Sequence, residues 1–284
     1  MPVTALVTGS TSGIGHEAAR RLSAEGATVI LHGPTQEEVA SARERLVAAG
    51  APQERIETEV ADFRDLPSVM ALASRVAARH PCLDLLVNNA AVGGGESRVV
   101  TGDGHELVFQ VNYLAPYLLT RMLWAPLCAA EAGRVVNVSS VLHRSANFDW
   151  SDLEGARRYS RTAAYARSKQ LLTMFSRGAA SAAAAAGERL VSVSVHPGVA
   201  DTGLLSLYAR AGAPVEQAAQ ALVQLCDPKN PVRSGAFYDG AIEAPAAPLA
   251  DNEKAVARLW KATAKAVGFD VISVPAPKMP AAAQ

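Results

Sequence analysis

Cysteine, aromatic residues and net charge are all scarce in this chain. Its 284 residues hold three cysteines, Cys82, Cys128 and Cys226, odd in number, widely spaced and each set among apolar neighbours. That pattern excludes a disulfide framework and reads as reduced core residues of a cytoplasmic protein. Aromatics make up 5%, and 27 basic residues balance 27 acidic ones with no basic stripe. Nucleic acid is therefore not an expected partner. No long apolar run is free of charge: the stretch 171–186 contains Arg177 and is broken by Gly178, so no membrane span is expected. The chain reads as a strand from its third residue, leaving no room for the regions of a signal peptide. Six histidines show no paired helical spacing and no clustered carboxylates, so no metal site is expected. Among them His143 reads as a solvated loop residue and His196 as structural.

What is present is an alternation of short apolar runs and helical patterns. Val3–Val7 leads into Thr8-Gly9-Ser10-Thr11-Ser12-Gly13-Ile14-Gly15 and then a helix through Ala18, Ala19 and Leu22. Such a strand, glycine turn and helix suit a pyrophosphate, because glycine allows close backbone approach and the helix start offers unpaired N–H groups. Apolar runs at 27–31, 55–60 and 83–87 alternate with helical patterns at 37–49 and 66–79. A long helix is expected over 105–130, bent at Pro116, followed by a strand at 134–138, a helix at 163–186 and a strand at 190–195. Further helices at 214–226 and 251–267 flank a short strand within 235–238. Alternation of this kind implies an α/β, Rossmann-type, doubly wound single domain: a mainly parallel, seven-stranded sheet with helices on both faces. The domain is read as 1–270, with 141–160 an inserted polar loop over the site, 203–213 a substrate lid, and 271–284 a Pro/Ala-rich tail. Gly93-Gly94-Gly95 reads as a mobile loop.

The chemistry gathers around Tyr165-Ala-Arg-Ser-Lys169. Tyrosine and lysine four apart share a helix face. An ammonium beside a phenol favours the phenolate, and lowering a phenol from roughly 10 to about 7 takes on the order of 4 kcal/mol. The pair is thus a candidate proton donor and acceptor. Upstream, Asn88-Asn89-Ala90-Ala91 and Ser139-Ser140 follow strands, at the sheet edge where such folds bind ligands.

In order along residues 3 to about 268, these motifs resemble the short-chain dehydrogenase/reductase family. Val138-Ser139-Ser140-Val141-Leu142-His143, the 25-residue separation of Ser140 from Tyr165, His196-Pro197-Gly198-Val199 and Leu259-Trp260 resemble its retinol-dehydrogenase-like branch, here a soluble relative. The resemblance implies a catalytic tetrad of Asn112, Ser140, Tyr165 and Lys169. It implies a dinucleotide held by Gly9, Thr11, Ser12, Gly13, Ile14, Gly15, Asp62, Phe63, Asn89, Ala90, Tyr165, Lys169, Pro197, Gly198, Val199 and Thr202. Gly33 stands where an acid would receive the adenosine 2′-hydroxyl, so NADP(H) is favoured, with His32, Gly33 and Thr35 at the 2′-phosphate, and NAD(H) is left open. A small-molecule carbonyl or alcohol, bulky and partly apolar, is the expected substrate, and a homo-oligomer, dimer or tetramer, built on the two long helices is expected. The alternatives are a nicotinamide-dependent epimerase or dehydratase, and a non-catalytic dinucleotide sensor.

Overall fold

Short Val, Leu and Ile runs fit a sheet covered on both faces, and the computed structural model, which describes residues 3–208 and 211–268, forms one such sheet. Its strands are β1 (Thr4–Val7), β2 (Thr28–Gly33), β3 (Ile56–Val60), β4 (Leu85–Asn88), β5 (Arg134–Val138), β6 (Val191–His196), β7 (Phe237–Asp239) and β8 (Ile242–Ala244). The order is β3-β2-β1-β4-β5-β6-β7-β8, parallel except for the antiparallel β7–β8 pair. Seven strands were expected. The eighth is a three-residue hairpin return with Ile242 75% exposed, too short and too wet to leave an apolar run in the sequence.

The helices are α1 (Gly13–Ala24), α2 (Gln36–Ala48), α3 (Leu66–Arg79), α4 (Leu107–Phe109), α5 (Ala115–Met122), α6 (Trp124–Ala129), α7 (Arg161–Ala186), α8 (Val215–Cys226) and α9 (Glu253–Ala266). Successive strand side chains point to opposite faces. Leu6, Ile30, Leu86 and Val135 therefore join one core with α3, α5, α7 and α9, while Val7, Val29, Leu31, Val87 and Val136 join the other with α1, α2 and α8. The single helix expected over 105–130 is instead α4, a π-helical turn at Gln110–Leu114, then α5 and α6. Pro116 sits in the first turn of α5, where a missing N–H costs little.

Helix α9 lies across α5 and α7. The Trp260 ring stacks on Phe175 at 5.8 Å and meets Tyr117 edge-on at 5.5 Å, and the Arg121 guanidinium lies over it at 4.9 Å. On α7, Gly178 has no Cβ because one would stand 2.9 Å from the Trp260 ring. The two long helices expected to build an oligomer are thus covered by the chain itself.

Two further expectations change. Of the three free cysteines, Cys226 is buried and Cys128 half-buried, but Cys82 is exposed, in the turn before β4. The 141–160 insertion lies against the site only at its ends, where Leu142 and Tyr159 pack on the cluster that holds Tyr165; between them Phe148, Trp150 and Leu153 pack on the core, and Arg258 of α9 lies 4.3 Å over the Trp150 ring. The 271–284 tail lies outside the described residues. No described helix is long and apolar enough to cross a membrane.

Candidate active site

Between β1 and β4 the strand order reverses, so the segments leaving their carboxyl ends diverge and open a crevice. A cleft of ≈ 700 Å³ occupies it, lined by Gly9, Thr11, Ser12, Gly13, Ile14, Asp62, Phe63, Asn89, Ala90 and Thr202 from the expected set. Gly9 takes φ 61°, and a Cβ there would stand 2.7 Å from the Ala90 Cα. The Asn89 amide fixes the turn by donating to the Thr8 and Gly9 carbonyls at 2.9 and 3.0 Å. At the start of α1, Ser12 caps no N–H with its side chain, so that helix start faces the cleft with donors suited to a phosphate. The close backbone approach at Gly9, the helix-start donors and a cleft of this volume fit a dinucleotide.

Several residues expected at the cofactor lie outside the lining. Gly15 is packed beneath the turn, where a Cβ would be 2.4 Å from the Gly9 carbonyl oxygen. Gly33 lies behind Thr11, and Thr35 is the N-cap of α2, accepting from the Glu38 N–H at 3.3 Å. Pro197, Gly198 and Val199 also lie outside the lining. His32 borders the cleft but is not a phosphate donor: it is 2% exposed, Nδ1 accepts from the Gly9 N–H at 3.1 Å, and Nε2 donates to the Ala61 carbonyl at 3.0 Å. Burial pushes its pKa down to about 4, so it is a neutral brace between the glycine turn and β3. The Asp62 carboxylate is engaged by Arg64 Nε at 2.8 Å, which holds it below the usual carboxylate range.

Asn112, Ser140, Tyr165 and Lys169 meet at the carboxyl end of β5, all at most 3% exposed. Asn112 sits in the π-turn, where its side chain pairs with both Val92 backbone groups, at 2.8 and 3.0 Å, and donates to Ser168 Oγ at 3.1 Å. Lys169 Nζ donates to the Val138 carbonyl at 2.8 Å and lies 5.5 Å from the Tyr165 ring centre. Ser140 Oγ accepts from the Leu142 N–H at 3.1 Å and shares a hydrogen bond with the Tyr208 hydroxyl at 2.8 Å. The Tyr208 side chain also packs beside Tyr165. The ionisation differs from the sequence expectation: burial, and then Tyr208, push the Tyr165 phenol well above its ordinary value. Burial pushes the Lys169 ammonium down to about 7. Desolvation outweighs the attraction between the two, and Tyr165 holds its proton.

Three residues escaped the sequence reading. His143 is fully buried rather than solvated; its Nδ1–H donates to the Ser140 carbonyl at 2.6 Å and Nε2 accepts from the Ala247 N–H at 3.0 Å. Arg161, at the start of α7, lines the cleft and donates to the Gly93 carbonyl at 3.3 Å and to Ser206 Oγ at 2.9 Å. Glu38 accepts from the Thr11 and Thr35 hydroxyls at 3.2 and 3.4 Å, beside the turn. His143 ends a quoted motif but its burial was misread, while Arg161 and Glu38 follow no motif and were legible only as polar residues of unassigned surroundings. The glycine run is packed, not loose: a Cβ on Gly93 would stand 3.3 Å from both Leu204 and Leu207, and one on Gly94 2.7 Å from Val108.

The short chain dehydrogenase family matches residues 3–211. This chain belongs to that family. DnrU of Streptomyces sp. (strain C5), to which daunorubicin C-13 ketoreduction is ascribed, is 36% identical over 276 residues, covering 93% of this chain and 92% of its own. Human retinol dehydrogenase 13 is 30% identical over 290 residues, covering 95% and 86%. Among solved structures, a Mycobacterium paratuberculosis protein superposes with a TM-score of 0.78 at 26% identity, covering 94% of this chain and 96% of its own. A metagenomic short-chain oxidoreductase in complex with NADP gives 0.61 at 29% identity, covering 79% and 90%. This short-chain dehydrogenase is retinol-dehydrogenase-like, and it is an NAD(P)(H)-dependent dehydrogenase or reductase acting between CH–OH and C=O.

Proposed function

We propose that this short-chain dehydrogenase is an NADP(H)-dependent reductase of ketones or aldehydes on a fairly bulky, partly apolar body. One observation carries the reading: Ser140 hydrogen-bonds the Tyr208 hydroxyl at 2.8 Å, and the Tyr165 phenol adjoins the same side chain. Two hydroxyls beside one oxygen are what a carbonyl needs for polarisation and proton transfer. When bound, the dinucleotide supplies the hydride. Tyr165, kept protonated by burial, gives its proton to the carbonyl oxygen, which supports the reductive direction. Ser140 donates to the same oxygen and orients it. Lys169, held by the Val138 carbonyl beside Tyr165, would hold the ribose hydroxyls of the bound dinucleotide. Asn112 fixes the Val92 backbone at the mouth of the site and stands where a water path would reach Lys169.

For the cofactor, the absence of an acid at Gly33, the cleft-lining Arg64 and the NADP bound by the metagenomic neighbour support NADP(H). Around the apolar site, Leu204 and Leu207 close over Tyr165, which supports a bulky, partly apolar substrate. Three free thiols support a reducing, cytoplasmic setting.

Calorimetric titration with NADPH and NADH in parallel, followed by a carbonyl panel, tests the reading. NADPH is expected to bind at least tenfold tighter, about 1.4 kcal/mol. Tyr165→Phe is expected to cut turnover by roughly 10²–10⁴ while cofactor binding is kept. Tight cofactor binding with no carbonyl turned over by the parent protein would overturn it.

A further inference from the structure

The oxygen bonded to Ser140 beside Tyr165 belongs to the protein. Tyr208 reaches it from the end of the 3₁₀ turn Leu205–Leu207, with its hydroxyl 2.8 Å from Ser140 Oγ. With Tyr208 there, neither Ser140 nor Tyr165 lines the dinucleotide cleft. The ring packs on an apolar cluster of Val108, Ala164, Tyr165 and Leu207, against which Val92, Leu142, Tyr159 and Leu204 also pack; this is the slot that receives it.

Light fastenings hold the turn that carries Tyr208. Ser206 Oγ accepts from the Arg161 guanidinium at 2.9 Å in an exposed position, and the Leu204 N–H donates to Thr202 Oγ1 at 3.3 Å. Gly93 gives Leu204 and Leu207 the space to approach. The backbone bonds of the turn, from Leu205 N–H to the Thr202 carbonyl at 2.9 Å, Leu207 N–H to Leu204 at 3.0 Å and Tyr208 N–H to Leu205 at 2.9 Å, are all local. A turn held by local bonds belongs to the low-stability end of a structure, where local opening is cheap.

Resting on the reductase reading and narrowing it, we propose that Tyr208 is a displaceable internal occupant of the substrate-oxygen position, and that its slot binds aromatic ligands bearing an oxygen. Phenols are then ligands of the slot, and carbonyls attached directly to an aromatic ring are the substrate class. An aryl carbonyl, like the phenol of Tyr208, sets its oxygen at the edge of a flat apolar ring, so it meets the same two hydroxyls and the same apolar cluster. Every ligand competes with Tyr208, and its apparent affinity is reduced by the fraction of molecules in which the slot is vacated.

The test uses the full chain and 4-fluorophenol as probe, followed by ¹⁹F NMR titration. Tyr208→Ala is expected to bind it at least tenfold tighter than the parent protein, and Tyr208→Ala with Ser140→Ala is expected to lose that gain. The aliphatic probe 4,4-difluorocyclohexanol is expected to bind Tyr208→Ala at least fivefold more weakly than 4-fluorophenol does. Equal affinity of parent and Tyr208→Ala, a gain that survives loss of Ser140, or no preference for the aromatic probe would each overturn the proposal. Should circular dichroism show Tyr208→Ala unfolded, Tyr208→Phe keeps the ring and removes the hydrogen bond to Ser140. It is expected to bind 4-fluorophenol several-fold tighter than the parent, and weaker binding would make Tyr208 a ligand-holding group instead. The titration needs no turnover. Phenol binding without carbonyl reduction would sink the reductase reading, and the aryl-carbonyl substrate class with it, while leaving Tyr208 as the displaceable occupant; reduction without phenol binding would sink this proposal alone.

Discussion

Gly33 and Thr11 leave no room for a side chain between them: a Cβ on Gly33 would stand 2.3 Å from the Thr11 Cγ2 and 2.9 Å from the Val39 Cγ2. The missing acid at the end of β2 is therefore a packing requirement of the glycine turn as well as an electrostatic feature. Gly33→Asp, the obvious change to convert cofactor preference, is expected to displace Thr11 and weaken NADPH and NADH together. A stability loss of about 1–3 kcal/mol should accompany it. Parallel titrations check this; a clean switch to NADH with unchanged stability would contradict it.

His143 joins the residue that carries the catalytic-type hydroxyl to the loop before α9. Its ring accepts from the buried Ala247 N–H and donates to the Ser140 carbonyl, which also accepts from the His143 backbone N–H at 3.0 Å, so His143→Leu strands the Ala247 N–H alone. A loss of about 1–3 kcal/mol, the cost of one unsatisfied buried group, is expected in urea unfolding. Since the Ser140 carbonyl loses one of its two donors, kcat should fall in samples that are fully folded. A variant as stable and active as the parent would show that the ring is dispensable.

Acid sensitivity should centre on His32. Its pKa is about 4 in the fold against an ordinary 6.5. Above pH 6.5 the ring is neutral in both states and contributes no pH dependence. As pH falls below 6.5 the unfolded chain takes up a proton that the folded ring refuses, so stability is lost until about pH 4, where the loss levels off. The gap between the two values corresponds to about 3 kcal/mol. Urea midpoints of the parent and of His32→Asn at pH 7 and pH 4.5 should diverge, with the parent losing more. Parallel losses would assign the acid sensitivity elsewhere.

The elements that were legible in the sequence are those whose cause is local. A strand followed by glycines and a helix announces itself, as do Ser140 after β5 and the Tyr165–Lys169 spacing, because each depends on a few adjacent residues. Helix α3 shows at 66–79, as the periodicity implied, between the Asp65 cap and Arg79. What was hidden depends on distant partners. His143 is buried by the loop at Ala247, and the irregular turn around Asn112 serves the backbone of Val92 rather than bending at Pro116. Tyr208 read as one more apolar lid residue, since nothing in its vicinity in the sequence tells that its hydroxyl reaches Ser140.

Because α9 already covers α5 and α7, the protein is expected to be a monomer of 29.6 kDa in light scattering rather than a pair built on those helices. Removing the cover should change this: Trp260→Ala is expected to cost about 3–5 kcal/mol and to favour self-association. A stable dimer of the parent protein that survives dilution would show that another surface pairs.

The position of Trp260 along the chain also sets a timetable for synthesis. Its ring partners Tyr117 and Phe175 are made long before it, and 85 residues separate Phe175 from Trp260. At about 5–20 residues per second, the apolar side of α5 and α7 waits roughly 4–17 s for its cover. By the end of that interval every strand through β8 has been synthesised, yet the nascent chain shows an aromatic face that the finished protein never presents. The interval in which this protein is most exposed to aggregation, and most in need of a chaperone, is therefore written into the distance between one tryptophan and one phenylalanine.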